Sequence, residues 1–509
     1  MPNVLLVYPK FPKSFWGMNY ALPFVGRKST MPPLGLLTIA GMFPPNYNLK
    51  LVDINTRDLT NEDLRWADVV FTSAMIVQKK SLNEVISRCK KVDVPIVVGG
   101  PYPTTFHDEI LDVNYFLLGE VEEIFLEFLD RESQQGFKRE GVIYRESGKP
   151  DLSKTPLPRF DLINFKDYES MCLQFSRGCP YDCEFCDITK LYGRNPRTKS
   201  KEQMFKEFQL LYDLGWRGRV FLVDDNFIGR KNDAMQLLLD LAGWQRKRRN
   251  PFYLYTEASI DLAKYPELLD AMVEANFSEV FVGIETPNRE ALLATRKRQN
   301  VSMIDDGFLL RAVSRIQSKG LEVMAGFILG LDSDSNDIFD AMKEFIRKSG
   351  IPVAMVGLLG AVRGTDLYKR LCAEGRIVSD VSGDNLGCVL NFKPEMNEKT
   401  LLDGYREVLS TIYDPGLRNY FKRCLLMLDR MGSKRRSRAK VGKAEIKALF
   451  KSLWKQLLSR QGIAYGQFLA TVLIRYPKML PDAVRFAIIG YHLEKITREI
   501  FNTRKIIPG

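Results

Sequence analysis

The run Ser176-Arg177-Gly178-Cys179-Pro180-Tyr181-Asp182-Cys183-Glu184-Phe185-Cys186 constrains this chain more than any other feature. Any fold it adopts must carry three thiols on one short loop, at the spacing C-x3-C-x2-C. With 8 cysteines in 509 residues, composition alone would place such a trio in only about 0.002 of chains. Three thiolates can each hold one iron of a 4Fe–4S cluster. Cuboidal clusters usually take four cysteines, so a site with three leaves one iron open to bind something else. Zinc would want a fourth His or Cys nearby, and the chain has only His107 and His492 and no second close-spaced cysteine pair. The other cysteines, Cys89, Cys172, Cys372, Cys388 and Cys424, are scattered singly, which suits a reducing compartment rather than a disulfide framework. The start Met1-Pro2-Asn3-Val4 shows no charged segment followed by an apolar one, so no secretory route is indicated.

Length points to about three domains, because a chain of 509 residues exceeds what one core supports. No uninterrupted apolar run reaches transmembrane length. The net charge of +12 would suit nucleic acid, an anionic membrane surface or an anionic substrate. The excess is locally concentrated: Lys434, Arg435, Arg436, Arg438, Lys440, Lys443 and Lys447 face only Glu445. A solvated basic loop and a contact surface are both readings of that stretch.

Residues 1–135 alternate short apolar runs with helical patterns. Val4–Tyr8, Asp68–Phe71, Pro95–Val98 and Tyr115–Leu118 read as strands, with helices at Leu34–Met42 and Ser81–Lys90 between them. That pattern predicts a parallel sheet covered on both faces, a doubly wound α/β domain whose ligand sits beyond the carboxyl ends of the strands. Those ends carry Asp53, Thr72-Ser73, Gly99-Gly100 and Gly119-Glu120, and glycines there let a large ligand approach the backbone. Residues 136–170 read as a linker with a short hairpin around Val142-Ile143-Tyr144. Residues 171–395 resume the alternation, with strands at Leu173–Phe175, Val220–Val223, Phe252–Thr256, Glu279–Ile284, Glu322–Leu329 and Val353–Leu358. Six such units predict a partial (β/α)6 barrel with its site at the C-terminal strand ends, which supply Asp224-Asp225-Asn226, Glu257, Gly283-Ile284-Glu285 and Gly330-Leu331-Asp332. Residues 396–509 read as all-helical, with apolar residues at three- and four-residue spacing. A helical cap on the barrel and a membrane-touching face are both open for this segment.

The cysteine trio, Phe185 before its last member and the six-unit sheet together resemble the radical S-adenosylmethionine superfamily. The resemblance implies Cys179, Cys183 and Cys186 as cluster ligands. The open iron would chelate S-adenosylmethionine, whose reductive cleavage yields a 5′-deoxyadenosyl radical. It implies further cofactor contacts at Phe185, Asp224, Glu257 (ribose), Gly283 and Glu285 of the fourth-strand motif, and Gly326 and Gly330 of the fifth-strand motif beside adenine. The first domain resembles the cobalamin-binding domain often fused ahead of this barrel, through Pro32-Pro33-Leu34-Gly35-Leu36 and Gly99-Gly100-Pro101. That implies Ser73, Gly99, Gly100 and Gly119 as a cobalamin cradle. The D-x-H-x-x-G signature is missing, so a lower-face imidazole ligand from that loop is impossible. Ser14-Phe15-Trp16, Met75-Ile76-Val77-Gln78, Phe221–Gly229 and the helical tail resemble the subgroup containing the hopanoid 2-methylases.

The expectation is a cobalamin-dependent radical methyltransferase acting on an unactivated carbon of an apolar, hopanoid-like or other lipid substrate. Its partners would be that substrate, an electron donor such as flavodoxin or ferredoxin and a peripheral membrane contact, with no nucleic acid. Its place would be the cytoplasm, including the inner face of the membrane. Ring formation or carbon–carbon coupling in lipids without methyl transfer is the nearest alternative, and an RNA-modifying radical enzyme a further one.

Overall fold

The computed structural model describes every residue except 303–306, 385–386, 433–441 and 503–509. The basic positions 434, 435, 436, 438 and 440 therefore lie outside the described residues. Strands β1 (Asn3–Tyr8), β2 (Asn48–Asp53), β3 (Val69–Ser73), β4 (Ile96–Gly99), β5 (Tyr115–Leu118) and β6 (Val142–Arg145) form one sheet, in the order β2-β1-β3-β4-β5-β6. Every pairing is parallel. Successive residues feed opposite faces: Leu5, Val7, Val70 and Ile96 enter one core, and Val4, Leu6, Val69 and Val97 the other. This double burial is what makes each strand an apolar run rather than an alternating one. The segment expected to form a hairpin in a linker instead adds the sixth strand. Val142–Arg145 pairs with β5 in parallel, across the Phe125–Ser133 helix. Its Ile143 faces solvent while Val142 and Tyr144 pack inward, the pattern of an edge strand with one wet face.

The second sheet is again wholly parallel, in the order β14 (Ala354–Leu358), β13 (Glu322–Leu329), β12 (Phe277–Glu285), β11 (Phe252–Glu257), β10 (Gly218–Leu222), β7 (Ser170–Leu173). Between β7 and β10 a small ribbon, β8 (Ser176–Arg177) with β9 (Arg197–Thr198), pairs antiparallel. Outward residues such as Val220, Leu254, Val282, Val323 and Val356 are fully buried against helices. The inner row behaves differently. Phe221, Phe281, Met324, Ile328 and Met355 each keep part of their surface uncovered.

Charge closes the N-terminal end of this curved sheet. Arg219 makes two hydrogen bonds to Glu279 (3.0 and 2.8 Å). Arg485 reaches in from the last helix to Glu279 at 3.3 Å and to Glu322. Five helices, Glu398–Ile412, Arg418–Met431, Lys443–Leu457, Gly462–Arg475 and Leu480–Asn502, make up the C-terminal layer.

The N-terminal domain covers the open edge of the second sheet. The backbone of Ser29 and Thr30 accepts from Glu169 (3.0 Å) and Ser170 (2.9 Å) beside β7, which removes an unpaired edge. Residues 14–20 then cross to the C-terminal layer, where His492 is fully buried. Its Nδ1 accepts the Tyr20 N–H at 3.3 Å, so Nε2 carries the proton and donates to the Phe15 carbonyl at 2.9 Å. Burial pushes this imidazole down from 6.5 to about 4. The unfolded chain therefore binds the extra proton first. The stabilisation is fully present above pH 6.5 and is lost as pH falls through about 4. We expect the thermal midpoint of the protein to drop across this window, and His492→Gln to flatten that slope; equal slopes would contradict the assignment.

Candidate active site

The cysteine loop leaves the ribbon at Gly178, in a left-handed conformation (φ +95°) where a Cβ would stand 2.8 Å from the Gly193 carbonyl. Each residue around the cysteines is then tied to a different part of the barrel rim. The Gly178 N–H donates to Asp225 after β10 (2.7 Å). Tyr181 donates to Asp261 after β11 (2.8 Å). Asp182 accepts from Arg296 after β12 (3.0 Å), and Glu184 from Arg370 after β14 (2.6 Å). Phe185 packs with Ala291, Leu331 and Leu359. The loop is thus stretched across the mouth of the barrel.

Two buried amides approach the sulfurs: Asn226 Nδ2 lies 3.9 Å from Cys179 Sγ and Gln299 Nε2 3.6 Å from Cys183 Sγ. Burial raises the Cys179 and Cys186 thiols. Lys297 is held at 2.6 Å by Glu285, and its charge acts on Cys179 and Cys186. Among the described residues no three His, Cys, Asp or Glu side chains converge as they would round a single ion. The irons of a cuboidal cluster each take their own thiolate. Soft sulfurs, amide donors to them and a nearby cation fit such a cluster, because hydrogen bonds and local charge are what stabilise and tune it.

The other expected contacts lie at or near the strand ends around this loop. Asp224 is 1% exposed and accepts the Ser176 N–H. Its Oδ1 sets the strand end beneath the loop, while Oδ2 is buried without a hydrogen-bond partner. Glu257 is half-buried, and burial beside Asp225 and Asp224 lifts its carboxyl from 4.5 to about 7. Gly283 lies directly beneath the Glu285–Lys297 ion pair, and a Cβ there would displace the Glu285 carboxylate and the Lys297 ammonium. Glu285 itself sits at φ +65° where the β12 register shifts. Gly326 lies under Phe281, and Gly330 packs against Leu401 in the C-terminal layer.

In the first sheet, Ser73 pairs with Gly99, and Gly99 with Leu117, so three strand ends lie side by side. A Cβ on Gly99 would strike the Leu117 carbonyl at 2.9 Å and one on Gly100 the Ser73 Oγ at 2.4 Å. Both glycines are demanded by the sheet itself. Gly119 donates its N–H to Thr104 (3.0 Å). The hydroxyl of Thr72, one residue before the Ser73 strand end, is buried without a hydrogen-bond partner. His107 lies beside Arg145 at 3.5 Å.

The residue after Gly119 links the two sheets. Glu120 pairs with Arg177 (2.8 Å) and Arg197 (2.7 Å), the two residues that face each other across the ribbon at the base of the cysteine loop. Arg177 also meets Glu122 at 2.6 Å. Sequence reasoning placed Glu120 at a strand end without its ionic partners, and missed the roles of Arg177 and Arg197, along with those of Tyr181, Asp182, Glu184, Arg296, Lys297 and Arg370. The polar residues between the cysteines were the one available signal.

The comparisons agree with this geometry. A B12 binding domain model matches residues 24–129, a Radical SAM superfamily model 173–346, and a domain of unknown function 365–505. The chain is 41% identical over 468 residues to the uncharacterized methyltransferase sll1242 of Synechocystis sp., spanning 90% of this chain and 85% of that protein. It is 38% identical over 380 residues to the hopanoid C-2 methylase of Rhodopseudomonas palustris, spanning 74% and 71%. The cobalamin-dependent S-adenosylmethionine radical enzyme OxsB, with aqua-cobalamin bound, shares the fold at TM-score 0.62 and 15% identity, over 99% of this chain and 80% of that one. Fold and site define a radical SAM enzyme with a B12-binding domain, whose cofactors are a 4Fe–4S cluster, S-adenosylmethionine and cobalamin. The chain belongs to the family of radical SAM methyltransferases that includes the hopanoid C-2 methylase.

Removing one partner from a buried ionic network leaves the others unpaired. Glu120→Ala should cost about 3 kcal/mol in urea unfolding and lower iron retention after reconstitution. Lys13→Ala, at an exposed pair with Glu499, should change stability by less than about 1 kcal/mol. Equal effects of the two would contradict the network's role.

Proposed function

We propose that this enzyme methylates an unactivated carbon of a polycyclic apolar lipid of the hopanoid kind. The observation that carries the reading is the inner row of the barrel. Phe221, Phe281, Met324, Ile328 and Met355 lie between the ionic closure at Arg219 and Glu279 and the cysteine loop above, and keep apolar surface uncovered. Phe221 stacks on Tyr255 at 4.6 Å. Trp16, from the N-terminal domain, stands edge-on to Phe281 (5.4 Å) and donates to Met355 Sδ at 3.1 Å. A rigid wall of rings and thioethers suits a large apolar molecule and offers little to a charged one. The relatedness to the hopanoid C-2 methylase supports the same substrate class.

Those cofactors, when bound, supply hydrogen abstraction by a radical and transfer of a methyl group, chemistry that general bases cannot perform at such a carbon. The chain's own residues hold and shield. Cys179, Cys183 and Cys186 would ligate the cluster, with Asn226 and Gln299 donating to the sulfurs. We assign Glu257 to the ribose hydroxyls and Lys297, fixed by Glu285, to the carboxylate of S-adenosylmethionine. Ser73, Thr72 and the backbone at Gly99, Gly100 and Gly119 would line the cobalamin cradle. Glu120 keeps that cradle in register with the cysteine loop. An electron donor of the flavodoxin or ferredoxin kind and a peripheral seat on the membrane complete the reading.

The test is anaerobic purification with cobalamin supplied, followed by incubation with polycyclic lipids and S-adenosylmethionine. Bound corrinoid at about one per chain, a lipid heavier by one CH2, and formation of 5′-deoxyadenosine with S-adenosylhomocysteine are expected. 5′-Deoxyadenosine with a cyclised or coupled lipid and no S-adenosylhomocysteine would overturn methyl transfer.

A further inference from the structure

Eight of the twenty exposed large apolar side chains among the described residues lie between positions 446 and 474. Five of them belong to the Lys443–Leu457 helix and the residue after it: Ile446, Phe450, Trp454, Leu457 and Leu458. Positions 446, 450, 454 and 457 recur at the helical period and make one stripe. The stripe is outward by construction. On the opposite face Ala448 packs with Phe24, Val484 and Ile488 in the core, and Ser452 is buried against the Tyr465 hydroxyl (2.8 Å). Phe450 is 66% and Trp454 74% exposed, values far from those of the other tryptophans, which are at least partly buried. The next helix continues the pattern with Ile463 and Ile474 exposed.

Charge accompanies this surface. Between residues 434 and 478 the sequence has twelve basic residues and one acidic one, Glu445. The rest of the chain holds sixty-two basic against sixty-one acidic residues. Almost the whole net charge of +12 therefore resides in this one segment. The lone acid is used locally, accepting the Gly442 N–H at 2.8 Å to cap the helix. Lys447, Lys455 and Arg460 are exposed beside the apolar stripe.

We propose that the Lys443–Leu457 helix docks this enzyme on an anionic lipid surface, with Phe450 and Trp454 entering the headgroup boundary and the flanking cations meeting lipid phosphates. A stripe of Phe, Trp and Leu bordered by Lys is the composition of a helix that lies in the interface plane, and Trp favours that depth. No described helix is long and apolar enough to cross a bilayer, so the contact is peripheral. A second copy of the chain is a poor occupant, because it would bring an equally cationic segment against the first. Nucleic acid would satisfy the cations and leave the aliphatic stripe in water. As the route by which an apolar substrate reaches the barrel, the docking rests on the lipid reading above; as a binding surface it stands on these residues alone.

The full chain, purified anaerobically, is sedimented with vesicles of phosphatidylcholine alone or with about 30% phosphatidylglycerol. Binding to the anionic vesicles should exceed that to the neutral ones by about tenfold or more and weaken with salt. Brominated lipid should quench tryptophan emission, and Trp454→Phe should remove that quenching. Phe450→Asp with Trp454→Asp should reduce vesicle binding about tenfold while leaving the melting midpoint and 5′-deoxyadenosine formation unchanged. The inference is overturned if neither vesicle binds, if neutral vesicles bind as tightly, if the double variant binds like the wild type, or if its sole effect is to split a dimer. A chain that docks and yet never yields S-adenosylhomocysteine keeps the surface and loses the methylase.

Discussion

Everything chemical in this protein depends on stretching one short loop across the mouth of a curved parallel sheet. Three thiols cannot be held in a fixed arrangement by their own covalent spacing, since the loop between them has free backbone torsions. The constraint comes from elsewhere. Asp225, Asp261, Arg296 and Arg370, each beyond a different strand, grip Gly178, Tyr181, Asp182 and Glu184. Charged and hydrogen-bonded anchors of this kind are costly to break once partly buried. The loop's geometry is therefore borrowed from the rigidity of the sheet.

The second requirement is that two cofactor sites on separate sheets keep a common register. The parallel sheets meet through backbone pairing at Ser29 and Thr30 beside β7, and through Tyr168, which donates to the buried Asp53 at 2.9 Å. Glu120 adds the functional link, because its two arginine partners are the ribbon from which the cysteine loop springs. At the far end of the barrel, Arg485 ties the last helix to Glu279 and Glu322. The three layers are in this sense one support for the space between cradle and loop.

Much of this was legible in the sequence, and for physical reasons. Strands buried on both faces must be apolar runs, so Tyr115–Leu118 and Glu322–Leu329 were read with the ends they have in the structure. The linker hairpin failed because Val142–Arg145 is too short to declare its partner; two alternating apolar residues fit a hairpin or an edge strand equally. The cysteines were readable because their chemistry is rare. Their anchors were not, since Asp182, Glu184, Arg296 and Arg370 are common residue types that meet only in three dimensions. Gly99 and Gly100 were read as letting a ligand approach the backbone, and in the structure neighbouring protein atoms approach them closely as well. A glycine marks a close approach without saying to what. Asp224 shows the same ambiguity: one oxygen of this strand-end carboxylate serves the loop above it, and the other has no protein partner.

The chemistry of this enzyme requires an iron cluster with three protein thiolates and one iron left for S-adenosylmethionine. Electron paramagnetic resonance of the reconstituted, dithionite-reduced protein tests it directly. A reduced 4Fe–4S signal whose shape changes when S-adenosylmethionine is added, and which Cys183→Ala abolishes, is the predicted result. A signal indifferent to S-adenosylmethionine would mean that a fourth protein ligand closes the cluster, and would contradict the account.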